Sequence, residues 1–554
     1  MADSLKGGRM KHNKEIMLIL LAWSTAFLSI PVDAKSQNKQ QQLPKEMFVD
    51  SKKCQACHNG LISPEDEDIS IGVHWRSSMM AHSAKDPYWQ ASVKRETLVN
   101  PAVAEHIQDE CAACHMPMAR YRAHASGKLG AVFDNLSQLP PKTRIKELAV
   151  DGVSCSMCHQ ISAEKLGEPS SFTAGFVVDA ESPPGKRPAY GPYETDKGRE
   201  RVMRSSTDLV PTESKHIQDS ALCGSCHTLY TKTRGEKGEV IGELPEQMPY
   251  LEWLHSDYAD SESCQSCHMP VVAENTPITS VLGQDRTNVS QHVFLGGNFL
   301  MLNIFNRQSV DLKPNASPQE LANRIVRTKQ HLQNSSASIE IRDATFHDGK
   351  LRAKVVVGNL AGHKLPTAYP SRRTWISFQV ENEKGDLLFS SGSLNSDGSI
   401  DGNDNDSNPD LYEPHYETVS SPEQVQIYEA IMADNDGQIT TVLLKAMRYI
   451  KDNRILPDGF KKQTADNDIA VQGAAYKDSD FAGGVDAVEY NIDALPAESE
   501  LTITAKLWYQ PIAFRWAQNL MQQPSELGRR FVSYYNDIAD RSALVMAHAS
   551  KKIP

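Results

Sequence analysis

Cys264-Gln265-Ser266-Cys267-His268 (CQSCH, 264–268) is the last of five copies of one pattern. The others are CQACH (54–58), CAACH (111–115), CSMCH (155–159) and CGSCH (223–227). Together they use all ten cysteines of the 554-residue chain: Cys54, Cys57, Cys111, Cys114, Cys155, Cys158, Cys223, Cys226, Cys264 and Cys267. Each pair is followed at once by a histidine: His58, His115, His159, His227 and His268. Disulfides do not require that histidine. Zinc ribbons consume such pairs two at a time, and five leaves one over. A thioredoxin-like site needs a single pair. C-x-x-C-H is the attachment signature of c-type haem: the two thiols reach the vinyl groups and the histidine lies under the iron. The expectation is five covalent haems.

The motif starts are separated by 57, 44, 68 and 41 residues. So few residues per haem cannot wrap each one in its own protein core, so the haems are expected to pack against one another. After His268 the chain has no cysteine and must fold by ordinary means. Glu105–Asp109 (EHIQD) and Lys215–Asp219 (KHIQD) repeat weakly before the second and fourth motifs, as short helices that deliver a histidine.

Working outward, Lys6, Arg9, Lys11 and Lys14 precede an apolar run from Ile16 to Ile30, and Pro31-Val32-Asp33-Ala34 places small residues for cleavage after Ala34. This reads as an export signal, which suits haem attachment outside the cytoplasm. The apolar run is short of the ~20 residues of a spanning helix, and the mature chain has no other candidate span. The expected location is periplasmic or secreted. A net charge of −12 excludes the basic footprint of a nucleic-acid binder.

Beyond the haem motifs, Ser317-Pro318-Gln319-Glu320 is a capping box that opens a helix with Leu321, Ile325 and Leu332 on one face. Period-two runs follow. Ile339–Phe346 and Leu351–Val357 flank an Asp348-Gly349 turn, and Trp375–Val380 precedes Leu387–Ser390. More strands are expected at Val425–Met432, Thr440–Leu444 and Leu501–Trp508. From Ile512 to Lys551 the pattern is read as helical. The expected fold class is mixed: a mainly α, loop-rich multihaem domain, then an all-β sandwich-like domain, then C-terminal helices. The boundaries are 1–34 signal, 35–53 flexible leader, 54–333 haem domain, 334–510 β-sandwich and 511–554 helices.

The stretches GVHWRSSMMAHSAKDPYWQAS (72–92), DGVSCSMCHQI (151–161), LCGSCHTLYT (222–231), YLEWLHSDYADSESCQSCHMP (250–270), HVFLGGNFLMLN (292–303), GHKLPTAYPSRRTW (362–375) and YQPIAFRWAQNL (509–520) carry a family resemblance. The chain resembles the multihaem cytochromes c related to the tetrahaem electron carrier that serves hydroxylamine oxidoreductase, in a larger subgroup with a C-terminal β-domain. The resemblance implies electron transfer, with donor and acceptor unnamed.

Second axial ligands must come from the other histidines. His74, His124, His216, His292 and His363 are the candidates, with His106 and His82 behind them. Met79, Met80 and His82 compete with His74, and a methionine ligand would raise that haem's potential. His363 sits in a rigid Gly-His-Lys-Leu-Pro turn, and Arg372 and Arg373 follow at a spacing that suits a propionate. Asp401–Asp406 (DGNDND) reads as a solvated acidic loop first and a calcium site second, because position six is Asp406 and position twelve is Tyr412. Three functions follow: an exported electron carrier with redox protein partners, an oxidoreductase with one open haem for a small nitrogen or sulfur compound, and a subunit of a cytochrome assembly. A homo-oligomer is left open.

Overall fold

The computed structural model describes residues 46–137, 140–496 and 500–554, which belong to one compact unit. The expected export signal and residues 35–45 of the expected leader lie outside the described residues. The last part of the leader is not loose: Met47 and Phe48 are buried against Met118, Leu148 and Met157. Asp50 then caps the short helix Ser51–Gln55, which carries Cys54.

Every C-x-x-C-H copy includes helical turns. They lie at Ser51–Gln55, Cys155–Cys158, Ser220–Gly224 and Cys264–His268, and at the end of helix α3. A helical turn puts residues three apart on one face, so it turns both cysteines the same way. Three longer helices precede or carry the second motif: α1 (Ile71–Arg76), α2 (Pro87–Val99) and α3 (Ala104–His115). Asp86 accepts from the backbone N–H groups of Tyr88 and Trp89 and starts α2, with Pro87 at its first position. The first half also holds an antiparallel hairpin, Leu229–Arg234 with Val240–Gln247. Its alternation is short and mostly polar, and the sequence reading did not mark it.

Helices α4 (Pro249–Leu254), α5 (Phe299–Arg307) and α6 (Pro318–Ser335) follow. The capping box of α6 forms in full: the Ser317 hydroxyl accepts from the Glu320 N–H, and the Glu320 carboxylate accepts from the Ser317 N–H. Strands β1 (Ala337–His347) and β2 (Lys350–Asn359) close on the predicted turn, where Asp348 and Gly349 both have positive φ. Then come β3 (Arg373–Asn382), β4 (Leu387–Ser391), β5 (Val485–Ile492), β6 (Leu501–Gln510), helix α7 (Glu526–Asn536) and β7 (Leu544–Ile553).

The larger sheet runs β4-β3-β6-β7, with Ile427–Tyr428 added to β3; the second runs Thr418–Val419, β5, β2, β1. Phe378 of the first sheet stacks on Tyr490 of the second at 3.8 Å between ring centres, so the two faces pack as a sandwich. The expectation of helix to Lys551 is corrected here. Leu544–Ile553 is a strand, paired along β6 from Tyr509↔Leu544 to Leu501↔Ile553. An amphipathic run after α7 satisfies either period, and the long free edge of β6 decides it.

One apolar core joins the two halves. Phe299, Leu302 and Phe305 of α5 and Leu321, Ile325 and Leu332 of α6 cluster with Leu351, Val355, Phe378, Tyr490 and Leu507 of the sheets. No helix among the described residues is long and apolar enough to cross a membrane.

Candidate cofactor cavity

All ten motif cysteines and all five motif histidines line a single cavity of about 1480 Å³. Ordinary small-ligand pockets hold roughly 300–1,000 Å³. In four of the five copies the histidine's Nδ1 meets a backbone carbonyl. His58 donates to Ile278 O (2.6 Å), His115 to Ser83 O (2.9 Å), His159 to Tyr190 O (2.6 Å) and His268 to Leu295 O. A carbonyl can only accept, so Nδ1 carries the proton and Nε2 keeps its lone pair. That is the tautomer an axial metal ligand needs, with its ring orientation fixed from behind. Burial lowers the pKa of His58, His159 and His268, and brings those of His115 and His227 to about 4. All five are neutral bases at pH 7.

The thiols show which copies are neighbours. Cys155 lies close to Cys54, and Cys223 to Cys264. Cys226 lies within electrostatic reach of both Cys114 and Cys158. The spatial order is therefore not the chain order. The first and third copies adjoin, the fourth and fifth adjoin, and the fourth lies near the second and third.

The histidines repeat this grouping. His292 lies 6.2 Å from His159 between ring centres, with planes 18° apart, and feels His74 and His58 electrostatically. His363 lies 6.3 Å from His268 with planes 13° apart, and His227 feels both. Two imidazole–metal bonds of about 2 Å, plus the depth of each ring, separate trans imidazoles by about 6 Å between ring centres. Both pairs have that separation. The donor set is chemically suited to c-type haem: the ten cysteines would tether it, and His58, His115, His159, His227 and His268 would each offer an imidazole to the iron.

His363 is held by a buried charge network. Gly362 packs where a Cβ would lie 3.2 Å from Trp253 and 3.3 Å from Tyr258. The next residue, Lys364, is fully buried. Its N–H donates to Glu252 of α4 (3.1 Å), and its ammonium pairs with Asp452 (2.8 Å). Arg454 bridges Asp452 (2.8 Å) and Glu252 (2.9 Å). Two cations face two carboxylates, which keeps Asp452 ionised despite its burial and well below the usual carboxylate range.

The other expected residues are dispersed. His74, on α1, is buried beside the cavity-lining Trp75. Met79 and Met80 reach the wall, whereas His82 is buried with Nδ1 donating to Ser78 O and Nε2 accepting from the Asn315 N–H. His124 is bonded to Asp109 (2.6 Å) and His216 to Ser214 Oγ and Ile161 O; neither lines the cavity, and His106 is exposed. Arg372 lines the cavity, but Arg373 turns away: it is buried against Asp406 (2.8 Å) and Gln510 (2.8 Å). Arg372 belongs to the turn before β3, with its N–H donating to Tyr369 O, whereas Arg373 is the first residue of the strand and enters the sandwich side. This pairing also occupies Asp406, whose other oxygen accepts from the Ile400 N–H, so the acidic loop does not converge on a cation.

His415, Asp478 and Asp486 form the one His/Asp cluster of metal-like spacing among the described residues. The Nδ1 of His415 accepts from the amides of Gln426 (2.9 Å) and Asn453 (3.1 Å). The proton is therefore on Nε2, aimed at Asp478 (2.9 Å), and no lone pair is left for a metal.

Sequence reasoning missed His331, which lines the cavity from α6, 6.2 Å from His268. It also missed the surroundings of His115. Trp89 stacks on that ring at 4.3 Å; elsewhere on the cavity lining Tyr88 and Tyr369 meet at 3.4 Å through their hydroxyls, and the buried acids Glu96 and Glu246 also line it. Burial raises the pKa of both acids.

No family model and no curated protein matches the chain. Among solved structures it is similar to a penta-heme cytochrome c552 from Thermochromatium tepidum, with 15% sequence identity and a TM-score of 0.48, over 92% of this chain and 100% of that one.

Proposed function

We propose that this chain is an exported pentahaem c-type cytochrome that carries electrons. The observation that carries the reading is the convergence of all ten cysteines and all five motif histidines, four of them held with Nε2 free, on one cavity. Haem c, when bound, supplies one-electron transfer at an iron whose potential follows its axial ligands and burial. The protein's part is to tether, orient and insulate. The cysteines fix each group by its edge, and the carbonyls of Ile278, Ser83, Tyr190 and Leu295 aim the first imidazoles. His292 and His363 stand where second imidazoles are needed. The thiol contacts support a path through copies one, three, four and five, with the second as a branch at the fourth.

The test is intact mass of protein matured in an exporting host. The expected product starts at Lys35 and carries five haem masses. Four or fewer in a fully matured sample would overturn the reading.

A second reading, an oxidoreductase open at one iron, is favoured by the titratable groups of the cavity lining. Tyr88, Tyr369, Glu96 and Glu246 are groups that can hold or deliver protons there. CO binding to the reduced wild-type protein at one site per molecule supports this reading, and no CO binding removes it.

A further inference from the structure

Arg324 of α6 lines the cavity and is buried, with 4% of its surface exposed. Among the described residues it is the one buried cation of that lining. Lys53, Arg120, Arg199, Lys232, Arg286 and Arg372 also line the cavity but keep solvent contact. All three nitrogens of the Arg324 guanidinium donate to neutral oxygens. Nη1 meets Val293 O (2.6 Å), Nη2 meets His74 O (2.6 Å) and Ser77 Oγ (3.1 Å), and Nε meets the same hydroxyl (3.3 Å).

No carboxylate of the described residues forms an ion pair with it. Its neighbours are treated differently. Arg76 of α1 pairs with Glu320, and Arg327 pairs with Glu67 (3.1 Å). The buried cations near His363, Lys364 and Arg454, share Asp452 and Glu252. A buried charge is costly unless it is matched, so an unmatched one on this wall calls for a role. The carbonyls and the hydroxyl satisfy its N–H groups but carry no net charge.

We propose that Arg324 is a potential-setting residue, whose unmatched charge raises the reduction potential of the haem nearest to it. This rests on the haem reading above. Reduction adds one electron to the iron, and a fixed positive charge beside it favours that product. With its nitrogens spent on protein oxygens, Arg324 acts as a charge rather than as a clamp for a cofactor carboxylate. It biases the electron toward the part of the cavity lined by α1 and α6.

The helix holds that charge in place. Arg324, Thr328, His331 and Ser335 all line the cavity, and steps of four, three and four residues put them on one stripe of α6. Leu321, Ile325 and Leu332 are buried in the core, and the capping box fixes the N-terminal end. At an effective dielectric of about 20, a unit charge about 10 Å away shifts a one-electron equilibrium on the order of tenfold. Tenfold is about 59 mV.

The experiment is an optical redox titration of matured holoproteins: wild type, Arg324→Gln and Arg324→Lys, with haem count read by mass. Arg324→Gln removes the charge and should lower one of the five midpoints on the order of tenfold. Arg324→Lys keeps the charge and should leave that midpoint in place. Thr328→Glu covers the chance that Arg324→Gln does not mature. It leaves Arg324 untouched, gives it a carboxylate one helical turn away, and should lower the same midpoint.

Three results would overturn the proposal. In one, Arg324→Gln carries five haems with every midpoint unchanged. In another, Arg324→Gln and Arg324→Lys lower the same midpoint alike, which would assign the effect to the hydrogen bonds. In the third, Arg324→Gln does not mature and Thr328→Glu titrates as wild type. A haem count below five in wild type would instead be a failure of the haem reading, and mass alone separates the two.

Discussion

Lys364 is a lysine with no exposed surface, and its neighbours dictate what its loss would do. Removing one partner of a buried ion pair leaves the other charge uncompensated and costs about 3–5 kcal/mol. Lys364→Met should therefore destabilise the protein by about that amount, read as a lowered denaturation midpoint, and should loosen the loop that presents His363. Unchanged stability would show that Asp452 is satisfied by Arg454 alone. His82 gives a pH dependence. Burial holds its folded pKa at about 4, against 6.5 for the free side chain. Between those values the unfolded chain binds a proton that the native chain does not, so stability falls as pH drops from about 6.5 to about 4. His82→Gln should flatten that part of the stability curve, and an unaltered slope would assign it to other groups. At this scale the sequence was half legible. The motif histidines announce themselves by their cysteines. His331 carries no such flag, and its signal was periodicity: it shares a helical stripe with Arg324, Thr328 and Ser335.

Among elements, α6 joins the two halves. Its capping box was legible because the Ser-Pro-Gln-Glu order states it chemically. Ser317→Ala removes the accepting hydroxyl and should cost about 1 kcal/mol, with haem count unchanged. The fate of Leu544–Ile553 was not legible, because alternation and helical period coincide over a short amphipathic run and the partner strand β6 chooses. The core has a further consequence. A fragment ending at Gln333 keeps every haem motif but exposes Phe299, Leu302, Phe305, Leu321 and Leu332, which pack on the sheets. Such a fragment should incorporate haem and aggregate, as seen by size-exclusion chromatography of the coloured fraction. A soluble, monomeric pentahaem fragment would show that the haem half closes its own core.

For the whole molecule, the cavity means that much of the interior is not polypeptide. On the haem reading the cavity of about 1480 Å³ is filled by cofactor, and without it the lining cysteine, histidine and aromatic side chains lose their packing partner. The protein made without haem attachment should lack cooperative thermal unfolding, because the packing that defines the native state is missing. A sharp transition in the colourless chain would contradict this.

His292, His331 and His363 all lie after the last cysteine pair, and β7, which closes the larger sheet, ends one residue before the C-terminus. On the export and haem readings the N-terminus emerges first, so attachment can begin while these histidines are still inside the cell. During that interval the irons have one imidazole each and an empty opposite face. The emerging protein would pass through a stage more reactive toward peroxide and small gases than the finished one. The residues from His292 onward would then act as a built-in stopper that arrives late, and a stalled or truncated translocation product would be a hazard to the compartment that receives it.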